Sequence, residues 1–495
     1  MYRLVLCLLA SSSVAQADPP EPTPDPPPTT EPTPTPPPPD PEVSPRQVEQ
    51  AVSGDTSASV DGAPKPGDES GRTDRIDTGD GTGRQIGRGL LWVVRLPYEI
   101  VMLPVRGTIY LGEKYQAVRT LTDVFTTSDR KIEVYPMALI ATGFGLNVGV
   151  RGVAKDLLDH DERLLVYAGF GGEYLWTAAA GVDSGRLLPG PVNVTLTGEL
   201  ASRERERFFG YGNSDKREES GMLVDPLGDQ TGVASRYRIK VARVAARVRV
   251  RLPVQVEISA TAAIAEKRYA ADSPSTSDPD LDEVYDAAML PGFLEGTQFL
   301  YHELEIARDT RGRADRWDAP GMRGTGSLVL AYAGRQHALD DGLNFYRYGV
   351  DLQQYVRLAS GPRALQLRLW AEGVSGARGA VPFTELPRLG GEYVLRGYNL
   401  DRFRDRLAAV VQAQYTWAAA TWLAPAIFVD AGRVFSGYDD LSLEDPRVGY
   451  GGMLEFMNRR GLVVRAQLGS SIDRGVFAFV SLHPAYDART RAERY

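Results

Sequence analysis

The chain has 495 residues, a formal net charge of −8 and 43% hydrophobic residues. That length exceeds one ordinary soluble core and leaves either several domains or one large closed sheet. The acidic balance argues against a nucleic-acid partner, and beyond the N-terminus no run approaches the ~18 apolar residues of a transmembrane helix.

Residues 1–17, MYRLVLCLLASSSVAQA, combine Arg3, a short apolar run and a small-residue ending. This is the pattern of a secretory signal peptide. Cys7, the only cysteine, lies inside it, so the mature chain is expected to fold without disulfides. Residues 18–85 open with a proline-rich stretch to Pro45 and continue with Gly, Ser, Asp and Thr. Proline removes backbone donors and fixes φ, which predicts a disordered, partly extended periplasmic linker. Within 86–127, Leu111, Tyr115, Val118, Leu121 and Phe125 recur at spacings of four and three, predicting a short amphipathic helical segment.

From 128 to 485 the pattern changes to period two. In VARVAARVRVR, Ala242, Val244, Ala246, Val248 and Val250 share one face, opposed by Arg243, Arg247, Arg249 and Arg251. YRYGVDLQQYVRL repeats it, with Tyr348, Val350, Leu352 and Val356 opposing Arg347, Asp351, Gln353 and Arg357. Such runs exceed the ~5–6-residue mode of soluble strands and suit the ~9–11 tilted residues that cross a bilayer. The expected fold is all-β, a transmembrane antiparallel β-barrel of about 16 strands, an even number as such barrels require. Long connections are expected near 204–233, 268–297, 375–405 and 436–446. Short turns alternate with them at Leu252-Pro253, Ser360-Gly361-Pro362, Ala418–Ala420 and Asn458–Gly461, apart from an intermediate connection at 309–321. Residues 486–495 form a charged C-terminal tail behind a last strand near Gly475–Leu482 that carries Phe477 and Phe479.

The stretch GGEYVLRGYNLDRFRD, Gly390–Asp405, frames Arg396 between glycines and aromatics in the connection between the eleventh and twelfth strands. On the thirteenth, IFVDAGRVF places Ile427, Val429 and Ala431 toward lipid and Phe428, Asp430 and Gly432 inside. Asp430 is then a lumenal carboxylate without a neighbouring cation on its own face. The guanidinium of Arg396 is a permanently charged fork that can pair with it, turned inward by Gly397. Gly432 is expected to leave room for Tyr398 or the loop to approach the wall. The competing arrangement sends Arg396 to solvent and pairs Asp430 with another lumenal arginine.

These residues carry a resemblance. Leu395-Arg396-Gly397-Tyr398, after Gly390-Gly391, resembles the Val-Arg-Gly-Phe/Tyr loop motif of the BamA/TamA superfamily of outer-membrane barrels, also called bacterial surface antigen proteins. Phe428, Asp430 and Gly432 match its Phe-x-Asp-x-Gly strand motif, and Arg308–Arg311 is a weaker third likeness. The resemblance covers about 130–483 and implies a loop folded back into the lumen, with insertion or translocation of proteins or lipids at the outer membrane. It implies outer-membrane lipids and client proteins or lipids as partners. The family's periplasmic POTRA capture domains are not recognisable in 86–127, so a separate periplasmic partner would have to capture clients. A passive channel or structural barrel is the alternative.

Enzyme signals are weak, and no catalytic activity or cofactor is expected. His302-Glu303 resembles the start of a zinc-protease HExxH, but Ile306 stands where the second histidine is needed. No G-x-S-x-G elbow or P-loop is present. Asp278, Asp280, Asp282 and Asp286 offer hard-cation ligands, although a solvated acidic loop is the simpler reading.

Overall fold

A computed structural model describes Thr127 and residues 131–482, apart from 142–144, 173, 189, 215–222, 228–231, 273–277, 314–322, 341, 359–362, 420–422, 459–460 and 474. The expected signal peptide, linker, amphipathic helix and charged tail lie outside the described residues.

Period-two sequence becomes one antiparallel sheet. It has 17 members, one of which is the two-residue Gly312–Arg313, leaving 16 long strands. In chain order these are β1 (Ile132–Ala141), β2 (Gly145–Lys155), β3 (Arg163–Gly171), β4 (Tyr174–Asp183), β5 (Val192–Phe208), β6 (Ser235–Leu252), β7 (Val256–Ala270) and β8 (Thr297–Asp309). Then follow β9 (Arg323–Ala338), β10 (Phe345–Arg357), β11 (Arg363–Val374), β12 (Leu407–Trp417), β13 (Leu423–Phe435), β14 (Arg447–Asn458), β15 (Gly461–Ser471) and β16 (Val476–Leu482). Each long strand pairs with its sequence neighbours, and β1 also pairs with β16, which closes the ladder into a barrel. Among the described residues the only α-helix is Leu281–Val284.

The seam is short. β1 matches β16 at Leu139↔Ser481, Ile140↔Val480 and Ala141↔Phe479, whereas it matches β2 continuously from Ile132↔Ala154 to Ala141↔Gly145. Pro136 lies in β1 and has no N–H to offer either neighbour.

Alternation sorts the two faces. On β6, Val244, Ala246 and Val248 are exposed on the outside, as are Ile258 and Ile264 on β7 and Leu304 and Ile306 on β8. An outward aliphatic band is what lipid demands of a spanning barrel. The opposing arginines face the lumen and are neutralised there. Arg243 pairs with Glu199, Arg247 with Glu305 at 2.5 Å and Arg249 with Asp183 at 2.5 Å.

Long connections gather at one end of the barrel, at 209–234, 271–296, 375–406 and 436–446. The opposite end, where β1 starts and β16 finishes, holds the short turns and the intermediate connection 310–322. One boundary differs from expectation. The charged run Arg203–Arg207 is strand rather than loop, because β5 continues through a bulge to pair Glu206 with Tyr237. The three longest connections pack an apolar cap over their end. Phe208 lies edge-on to Tyr211, Tyr285 and Phe383, and Leu281, Leu290, Phe293 and Val381 complete the cluster.

Candidate functional site

The connection between β11 and β12 turns into the barrel. It makes a two-residue ladder, Arg388–Leu389 against Phe403–Arg404, and the Gly390–Asn399 stretch at its tip reaches the inner wall at β12–β15. Leu389, Leu395, Tyr398 and Phe403 are buried there against Ala408 and Val410 of β12 and Val434 of β13. Burying each large apolar side chain contributes roughly 1.5–3 kcal/mol.

The structure brings Arg396 and Asp430 together. The Arg396 Nε donates to Asp430 Oδ2 at 2.8 Å and Nη2 to Oδ1 at 2.7 Å, a bidentate fork, and the Arg396 backbone N–H adds a third bond to Oδ2 at 2.8 Å. Gln412 Nε2 donates to the same oxygen at 2.9 Å, and Arg396 Nη1 reaches Gln414 Oε1 at 2.7 Å. Asp430 is 0% exposed and Arg396 6%. A buried ion pair survives only when its remaining donors and acceptors are occupied, and here they are. Phe428, two residues before Asp430 on the same face, lies under the guanidinium with 3.9 Å from Cζ to the ring centroid.

Glycine makes room for this approach. Gly397 adopts φ +95°, and a Cβ there would lie 2.2 Å from the Ser470 carbonyl oxygen. On the wall, a Cβ at Gly449 would lie 1.7 Å from the Arg396 carbonyl oxygen. Leu395 is itself held at φ +54° while fully buried, a left-handed conformation that costs a leucine about 1–2 kcal/mol. Gly432 leaves room for the loop at the wall, one of the two arrangements expected of it. Its missing Cβ would meet Leu389 Cδ1 at 3.2 Å, so the space serves the loop's short ladder and not Tyr398. Tyr398 points further round the wall, where its hydroxyl donates to Asp473 Oδ2 at 2.7 Å. Burial, and after it the bond to that carboxylate, raises the Tyr398 phenol above its ordinary pKa and keeps it a donor.

A second anchor of opposite polarity went unread in the sequence. Glu385 of the same connection is buried between Lys267 of β7 and Arg347 of β10, with Arg347 Nη2 at 3.0 Å from Glu385 Oε2. Arg347 also pairs with Glu372 at 2.8 Å. The connection thus gives a cation to β13 and an anion to strands three and six places away around the barrel. Nothing local marks Glu385, since its partners are 118 and 38 residues distant. The Gly449, Gly451 and Gly469 floor had a visible signal: glycines stand at lumenal positions in VGYGG and QLG, where other strands carry side chains.

Other sequence candidates lie elsewhere. Arg311 pairs with Asp309 and reaches Gln353, apart from the loop, so the Arg308–Arg311 likeness takes no part in the tether. Asp278 pairs with Arg207 and Arg236, while Asp280 and Asp286 cap short helical turns. These acids are committed to structure, and no cluster able to hold a metal occurs among the described residues.

Fold and site define a class: a membrane-spanning antiparallel barrel whose longest connection is tethered inside it. The chain is similar to BamA from Haemophilus ducreyi lacking POTRA domains 1-3, at 11% identity and a TM-score of 0.49, covering 71% of this chain and 69% of that one. It is similar to CdiB from Acinetobacter baumannii, at 10% identity and a TM-score of 0.44, over 71% of this chain and 60% of that one. For CdiB from Escherichia coli the values are 11%, 0.47, 70% and 62%, so the chain spans less than two thirds of either CdiB. No protein-family model matches the sequence, and no curated protein does.

Proposed function

We propose that this barrel works in a bacterial outer membrane as an assembly or translocation factor resembling the BamA/TamA superfamily, assisting insertion or passage of proteins or lipids. The observation that supports it most is the buried Arg396–Asp430 fork holding a loop inside the lumen. The seam adds to this reading. Among the described residues three pairs join β1 to β16, and a strand edge left incompletely paired is a template onto which an incoming strand can add. Clients are then recognised through backbone hydrogen bonds, with a separate periplasmic protein delivering them.

Locking the seam tests the proposal. Ile140 and Val480 are Cα partners, and Cys7 is the only native cysteine, so Ile140→Cys with Val480→Cys introduces a defined pair. In vesicles, the oxidised pair is expected to stop insertion of an unfolded barrel client, and reduction to restore it. Full client insertion by the oxidised protein refutes an assembly role through the seam. Altered small-solute uptake as the sole effect of depletion in cells points to a channel.

A further inference from the structure

The wall opposite the seam carries a basic cluster that faces lipid. On β8, β9 and β10, His302, Arg335 and Tyr346 are neighbours across the ladder, with His302↔Arg335 and Arg335↔Tyr346 as Cα partners. His337 lies two residues beyond Arg335 on the same outward face, one short of the strand end at Ala338. Its ring stacks on that of His302 with centroids 5.1 Å apart and planes at 24°. The Arg335 guanidinium sits over the Tyr346 ring at 5.1 Å. Directly below on β8 is Leu304, 65% exposed.

No carboxylate neutralises this group among the described residues. Some outward cations elsewhere on the barrel are paired. Arg268 has Glu266, Arg238 has Asp272 and Arg433 has Asp440. A guanidinium beside two stacked imidazoles presents several N–H donors at one spot with no carboxylate of its own to accept them. At the border of an apolar band, the anion within reach is a lipid headgroup, and the tyrosine is the amphipathic residue expected at that depth. The cluster is at the long-loop end, which in such barrels is the outer leaflet.

We propose that Arg335, His302 and His337 form a binding site for the phosphate of an outer-leaflet lipid headgroup, with Tyr346 flanking the sugar or glycerol beneath it. The site would fix one lipid to the wall farthest from the seam.

The test uses the full chain in phosphatidylcholine vesicles, with and without bisphosphorylated lipid A, extracted gently and weighed by native mass spectrometry. The parent protein is expected to retain lipid A. The triple variant Arg335→Gln, His302→Gln, His337→Gln is expected to retain roughly tenfold less, because charge-assisted bonds to phosphate are lost. Heat-modifiable gel mobility verifies that the variant is folded, and Arg268→Gln serves as a control with unchanged retention. Inorganic phosphate at equal phosphate concentration is expected to leave the lipid bound. Equal retention by the triple variant overturns the proposal. So does stripping by inorganic phosphate, which would make the site one for free anions. So would a parent that self-associates through this face while the variant does not.

Discussion

Deleting the Arg396 side chain strands a carboxylate in the barrel wall. In the intact protein Asp430 is fully buried and accepts bonds from Arg396 Nε, Nη2 and backbone N–H and from Gln412 Nε2. After Arg396→Ala, only the Gln412 bond is independent of the loop. Breaking one side of a buried pair costs about 3–5 kcal/mol, mostly the uncompensated charge. At ~1.4 kcal/mol per tenfold, that moves the equilibrium between docked and released loop by two to three and a half powers of ten. Arg396→Ala with Asp430→Ala removes both charges and should recover part of the loss, so the two single effects exceed their combination. Urea titration of the four proteins refolded in phosphatidylcholine vesicles, read by heat-modifiable mobility, completes the double-mutant cycle. A coupling of at least about 2 kcal/mol is expected. Additivity within about 0.5 kcal/mol, the behaviour of independent sites, refutes the reasoning.

Other perturbations probe the rest of the site. Gly449→Ala puts a methyl 1.7 Å from the Arg396 carbonyl oxygen and should cost about 1–3 kcal/mol by overpacking, whereas Gly452→Ala, whose nearest atom is 3.5 Å away, should be neutral in the same titration. Glu385→Gln leaves Lys267 without its anion; alone it should leave conductance in planar bilayers low, and with Arg396→Ala it should raise conductance well above either single change. Tyr398→Phe removes the 2.7 Å bond to Asp473 and should lower stability by roughly 1.5–3 kcal/mol, with Arg396–Asp430 coupling intact.

Much of the architecture could be read from residue order, because a strand's two faces obey a local rule. VARVAARVRVR sorts Val244, Val248 and Val250 outward and its arginines inward without knowledge of any partner. Arg396 and Asp430 were legible for a similar reason. Each is a polar residue that its immediate surroundings leave uncompensated, one framed by glycines and one alone on a lumenal face. What stayed hidden depends on the third dimension. Tyr211, Tyr285 and Phe383 meet in one cap but come from three connections, each with too few apolar residues to show a period. The Glu385 anchor is likewise an agreement between a loop and strands far away in sequence. Whether Tyr398 or another part of the loop would sit against Gly432 stayed open, because alternation tells which face a residue occupies, not which neighbour the loop will set against it.

The most direct test is an electron-density map of the full chain in a lipid nanodisc, at a resolution that shows side chains. It should show density joining the guanidinium of Arg396 to both oxygens of Asp430, at 2.7–2.8 Å, with the loop inside the barrel. A loop outside the barrel, or Asp430 paired with some other lumenal cation, contradicts the account.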